Sequence, residues 1–329
     1  MMLFACGLGP HMEAFLELKR AMGRRYETAE VELRAFDRYV AGLGKPPEFM
    51  TRELVHGWFS ANPHLSPATQ RKRANVLRQF CLFLVRLDRR THVVDRALFP
   101  ARRPGYKAHI YSEEELRALL RAARTVVPDR YALRRETVHT MLLTLYATGL
   151  RAGEACRLRV GDVDVAAGTL FVHKTKFFKS RVVPFLPGLA EKLRRYLEAR
   201  TAAAPPAGEG APFFVNRFRT AVAAPKLSAV FHDLVAAVGI PRRVGVRGPC
   251  LHELRHTFAV HRVLRWYREG ADVQAKLPVL ATYMGHGSVL ATHVYLTATA
   301  EILQEASRRF ERAYGSLVAA PEEIIHEAR

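Results

Sequence analysis

Apolar residues recur at helical spacing through most of residues 11–98. Val31, Phe36, Val40 and Leu43 make one stripe, and Val76, Leu77, Phe80, Phe83 and Leu84 make another that Ser66 and Pro67 open. Short polar breaks separate the stripes, so this half reads as all-α. Between Phe99 and Tyr111 the pattern stops. The run Pro-Ala-Arg-Arg-Pro-Gly-Tyr-Lys disfavours either regular element and predicts a linker over 101–110. Ser112-Glu113-Glu114-Glu115 then predicts a capped helix start, with acids at the positive end of the helix dipole.

The period next falls to two. Thr169-Leu170-Phe171-Val172-His173 and Arg181-Val182-Val183-Pro184-Phe185 read as strands separated by the basic stretch Lys174 to Lys179, a hairpin or three-stranded meander with a cationic tip. Residues 201–212 read as a surface loop. Helical spacing returns from Lys226, through Leu251 to Arg268 and on to Glu301 to Tyr314. The expected fold is two-domain: an all-α N-terminal domain over 11–100, then a mixed α+β domain over 111–316, mainly helical with a small antiparallel sheet, and a tail over 317–329.

A chain of 329 residues is long enough for this. Charge changes the picture more: 51 Lys and Arg stand against 31 Asp and Glu, a net charge of +20. Residues 1–110 carry +9 of it and residues 111–329 carry +11, so both parts are suited to the same polyanion, nucleic acid first. The bland alternative is the arginine usage of a GC-rich genome. The short tracts Arg71-Lys72-Arg73 and Arg102-Arg103 read as solvated or phosphate-facing. No apolar run approaches a membrane span, and Met1 to Met12 lacks the layout of a signal peptide, so a cytoplasmic protein is expected. Cys6, Cys81, Cys156 and Cys250 lie far apart and read as small buried hydrophobes rather than disulfide partners or metal ligands.

Four segments of the second half carry candidate chemistry. Thr148-Gly149-Leu150-Arg151 ends one helix and starts another, with Glu154 one turn beyond Arg151. The hairpin tip holds Lys176, with Lys174 and Lys179 as rivals. His252 and Arg255 sit at i and i+3, on a face apart from Leu251, Leu254 and Phe258. Gly285-His286 precedes Tyr295 by nine residues, counted from the histidine. Together these resemble the tyrosine recombinase, or phage-type integrase, family, whose pattern is T-G-L-R, a hairpin lysine, H-x-x-R, and G-H followed nine residues later by tyrosine. The resemblance covers about 110–316 closely and the N-terminal half only in helical character and size. Phe177 and Phe178 depart from the glycine and polar residue often found at the tip.

The resemblance implies a site-specific recombinase that cleaves and rejoins double-stranded DNA through a 3′-phosphotyrosyl intermediate, with no metal and no cofactor. It also implies a helical core-binding domain, a C-shaped clamp on the duplex, and a homo-tetramer on two synapsed sites with the segment after Tyr295 docked on a neighbour. Arg151 and Arg255 fit a phosphate clamp because the guanidinium fork stays charged and donates two parallel hydrogen bonds. Tyr295 falls in the nucleophile's place, His252 as its proton acceptor, His286 as a donor to the phosphate, and Lys176 as the acid for the departing 5′ oxygen. Lys176 is preferred over its rivals for its offset from Arg181. Glu154 is expected to orient a clamp residue. Integration or excision of a mobile element is the first reading of the biological task, and chromosome-dimer resolution the second. Two other readings stay open. His252-Glu253-Leu254-Arg255-His256 formally fits the H-E-x-x-H zinc site of metalloproteases, and the fold could serve DNA binding without catalysis.

Overall fold

The computed structural model describes residues 4–23, 26–44, 47–96, 99, 108–128, 133–173, 180–203, 208–241, 248–286, 288, 292 and 300–318. They fall into two compact units, residues 4–99 and 108–318.

The first unit holds four helices: α1 (Gly9–Ala21), α2 (Glu27–Ala41), α3 (Arg52–Ser60) and α4 (Pro67–Leu84). Local capping chemistry fixes two of their starts, since the Thr51 hydroxyl accepts from the Leu54 N–H and the Ser66 hydroxyl from the Thr69 N–H. Phe15 and Leu16 of α1, Phe36 and Val40 of α2, Trp58 of α3 and Leu77 and Phe80 of α4 share one core. The rings of Phe15 and Phe80 meet edge to face, their centroids 5.6 Å apart. Val31 and Leu43, placed in the α2 stripe on hydropathy, are exposed; the buried face runs through Ala29, Leu33, Phe36 and Val40. The basic tract on α4 is also less free than expected. Lys72 and Arg73 both pair with Glu32 of α2, at 2.9 and 2.8 Å.

The second unit is mainly helical around a small antiparallel sheet. Its elements are α5 (Glu113–Thr125), α6 (Arg134–Thr148), α7 (Ala152–Ala155), β1 (Val163–Asp164), β2 (Thr169–Val172), β3 (Arg181–Pro184), α8 (Pro187–Ala202), α9 (Ala224–Val238), α10 (Glu253–Arg268), α11 (Val273–Met284) and α12 (Ala300–Val318). The capping box at α5 forms as expected: Glu115 N–H donates to the Ser112 hydroxyl, and Ser112 N–H to the Glu115 carboxylate. The strands run in the order β1-β2-β3, with Leu170 opposite Val183 and Val172 opposite Arg181. Leu170, Val172 and Val183 face the core, while Phe171 and Val182 face out. Helix α8 extends into the segment expected to be loop, ending at Ala202.

Helix α6 buries more than half of its residues, threonines included, so these need internal acceptors. Thr144 and Thr148 donate to the carbonyls one turn back, at 2.7 and 2.6 Å. A second apolar cluster joins α10, α11 and α12 through Val263, Leu277, Leu280, Met284 and Ile302. Helix α12 thus packs in cis on its own unit. Within α12, Ile302 is buried whereas Leu303 and Phe310 are exposed. Cys6, Cys81 and Cys156 are buried as expected, but Cys250 is only half-buried, because it lies in the turn entering α10. Among the described residues no helix is long and apolar enough to cross a membrane.

Candidate active site

Four helix ends and one strand converge on a polar cluster. The buried helix α6 ends at Gly149, whose left-handed φ of +62° closes the helix. A β-carbon on Gly149 would lie 2.5 Å from the Phe258 ring, so both conformation and space demand glycine in the T-G-L-R turn. Arg151 follows as the residue capping α7. Its Nη1 donates to Glu154 Oε1 at 2.8 Å, its main-chain N–H to Oε2 at 3.1 Å, and its Nη2 to the Gly285 carbonyl at 3.0 Å. The Arg151 side chain keeps 37% of its surface open.

Glu154, only 4% exposed, has a second guanidinium partner. Arg181 of β3 donates Nη2 to Oε2 at 2.9 Å and Nη1 to Oε1 at 3.3 Å. Burial alone pushes the Glu154 carboxyl upward, but the bonds and charges of Arg181 and Arg151 outweigh it and hold the group at about 2. Arg181 also donates Nε to the Tyr283 carbonyl at 2.8 Å. Arg255, in the first turn of α10, is 3% exposed. Its Nη1 donates to the Gly149 carbonyl at 2.6 Å and its Nη2 to the Met284 carbonyl at 2.7 Å, tying the end of α6 to the end of α11.

Helix α11 stops at Gly285, with φ +67°. His286 comes next, and its Nδ1 lies 2.8 Å from the Thr292 hydroxyl, a fully buried group. Burial, then the charges of Arg255 and Arg151, press the His286 imidazole down to about 4, so it is neutral at pH 7. His256 is lowered to about 4 as well, by burial and then by His252 and Arg255. Its ring meets that of His252 edge-on at 5.1 Å.

The structure therefore brings Arg151, Glu154, Arg255 and His286 together, with His252 joined through His256. His252 and Arg255 do not share an environment as their spacing predicted. His252 caps α10 and is exposed, whereas Arg255 is buried, because its fork is spent on two carbonyls. Lys176, its rivals Lys174 and Lys179, and Tyr295 lie outside the described residues. The H-E-x-x-H reading fares poorly on geometry. The Glu253 carboxylate is wholly buried and accepts from the Cys250 N–H at 2.9 Å, and among the described residues no three His, Cys, Asp or Glu side chains could hold a metal ion.

Sequence reasoning missed Arg181, His256 and Thr292 as members of this cluster. A signal existed for Arg181: it is in phase with the buried Val183 on β3, and an arginine on a core-facing position needs a buried acid.

The sequence profile of the phage integrase family matches residues 110–301. A protein of Sinorhizobium fredii named as an integrase/recombinase, y4rE, is 36% identical over 310 residues, 94% of this chain and 97% of that protein. Tyrosine recombinase XerA of Thermococcus kodakarensis is 30% identical over 64% of this chain and 66% of its own length. Among solved structures, the Tn1549 transposon integrase in complex with transposon right end DNA superposes with a TM-score of 0.64 at 17% identity, covering 92% of this chain and 98% of that one, which shows a shared fold.

Proposed function

This chain belongs to the phage integrase family, a tyrosine recombinase that breaks and rejoins DNA, and from that premise we propose that Tyr295 cuts one strand of a specific duplex site while Arg151 holds the scissile phosphate. The observation that carries the reading is the bond from Arg151 to the Gly285 carbonyl, which joins motifs 134 residues apart in sequence into one cationic cluster. A phosphodiester repels nucleophiles, and its transition state gathers charge on oxygens that fixed cations stabilise. Arg151 is the open fork. Arg255 supplies charge from beneath and locks the turns on either side. His286 is neutral and held at Nδ1 by Thr292, and it serves as a donor to a phosphate oxygen.

The step balances without a cofactor. The Tyr295 oxygen bonds to phosphorus, its proton passes to His252, and the bond to the 5′ oxygen breaks as Lys176 protonates it. Attack by the 5′ hydroxyl of a second strand reverses these transfers and frees Tyr295. Bond energy stays in the 3′-phosphotyrosyl link throughout. Residues 11–100 serve as the core-binding domain and add their own phosphate contacts, and four copies assemble on two synapsed sites. Integration or excision of a mobile element is the task best supported, because the likeness to y4rE spans nearly the whole chain. Chromosome-dimer resolution is the second reading, and the likeness to XerA favours it.

The test is a nicked suicide duplex carrying the sequence that the wild-type protein selects from a pool of random duplexes. Wild type is expected to give a denaturant-resistant protein–DNA adduct that Tyr295→Phe does not form. An adduct of equal yield from Tyr295→Phe overturns the reading.

A further inference from the structure

The anchor of the site is a carboxylate shared by two guanidinium groups, and only one of the two is open to solvent. Glu154 receives four hydrogen bonds, two from Arg151 and two from Arg181. Arg151 retains an open side chain, whereas the Arg181 side chain is 10% exposed and each of its three nitrogens already donates to protein. Arg181 is therefore badly placed to offer a fork to a phosphate. Its three contacts reach the T-G-L-R turn through Glu154, the last turn of α11 through Tyr283, and the glycine before His286, where a β-carbon would stand 2.7 Å from its Nη1.

We propose that Arg181 is a positioning residue for strand cleavage: by sharing Glu154 it leaves the charge of Arg151 available to the phosphate, and by gripping the Tyr283–Gly285 turn it fixes the place of His286. The inference rests on the cleavage reading above. Its physical core is charge balance. Arg151, Arg181 and Arg255 against Glu154 leave two positive charges for a phosphodiester and its developing transition state. Without Arg181, Glu154 pairs with Arg151 alone, its negative charge cancels that of the open fork, and one net charge remains. A deeply seated carboxylate with a single cationic partner binds that partner more tightly, which is the wrong outcome for a group meant to serve substrate.

Covalent adduct formation on the same selected, nicked duplex tests this with the full chain, alongside duplex affinity and thermal unfolding. Arg181→Met is expected to slow attachment about 100-fold, the scale of losing one preorganised donor, while duplex affinity changes less than about threefold, because the ground-state contacts remain. The decisive variant is the double, Arg181→Met with Glu154→Gln. It restores the two net charges and is expected to react at least about tenfold faster than Arg181→Met alone, a non-additivity that simple loss of packing does not produce. Arg181→Lys keeps the cation and is expected within about tenfold of wild type; it carries the test if Arg181→Met does not fold. An Arg181→Met rate within threefold of wild type, a double variant slower than the single, or an Arg181→Lys rate 100-fold down overturns the inference alone. No adduct from wild type, or one from Tyr295→Phe, brings down the cleavage reading itself.

Discussion

Gly285 and Arg181 meet so closely that a β-carbon on the glycine would enter the guanidinium's own contact shell, and the glycine's φ of +67° already excludes most side chains. The G of the G-H motif is thus explained by a neighbour 104 positions earlier as well as by its own turn. Gly239 offers the matching control: its φ is +74°, but nothing lies within 4 Å of the added carbon.

Gly285→Ala is expected to cost about 1–3 kcal/mol in urea unfolding and to reduce adduct formation at least tenfold, because strain and displacement of Arg181 add. Gly239→Ala, paying strain alone, is expected to cost about 1–2 kcal/mol and leave the adduct rate unchanged.

The Thr292 hydroxyl tests the setting of His286. Thr292→Val keeps the shape and removes the bond to Nδ1, so the imidazole loses its fixed orientation. Adduct formation is expected to fall about tenfold, in line with about 1–3 kcal/mol for a buried polar group left unpaired. Thr292→Ser restores the hydroxyl and the rate; equal rates in the Val and Ser variants remove this role.

Glu253 gives stability a rising-pH liability. Its carboxyl is fully buried, one oxygen has no hydrogen-bond partner among the described residues, and burial pushes it up to about 7 from an ordinary 4.5. Because the folded value lies above the unfolded one, the contribution is complete below pH 4.5 and is lost as pH climbs through 7. The linkage amounts to about 3 kcal/mol. Urea midpoints of wild type should decline across that window more steeply than those of Glu253→Gln.

His286 and His256 act in the opposite sense. Their folded values near 4 lie below the ordinary 6.5, so the stability they contribute is present above pH 6.5 and drains as pH falls through 4. Ring carbon resonances of the free protein, assigned with His256→Gln and His286→Gln, should titrate with midpoints near 4. Midpoints at 6.5 would place both rings in water instead.

The parts legible in the sequence were those that local chemistry dictates. Ser112 and Glu115 announce the start of α5 from three residues' spacing, and the alternation around Leu170 and Val183 announces the strands. Arg151, Glu154, Arg255 and His286 were legible as an ordered set of motifs. Helix α6 left little pattern, since Thr137, Thr140, Thr144 and Thr148 share its buried face with the apolar residues and blur the polar contrast. The Val31 error came from the same limit: hydropathy gives spacing, and only packing against α4 and α3 says that Leu33 and Phe36 turn inward. Arg181 with Glu154, and Arg255 with Gly149, are joined across 27 and 106 positions, and no local period encodes either pair.

Where Arg181 sits has a practical consequence for chimeras. It is the first residue of β3, so an exchange of residues 174–179 for those of a relative leaves both partners of the anchor in the chain. A transplant that reaches into β3 must carry its acidic counterpart from α7 with it, or the recipient inherits a cation with nothing to hold.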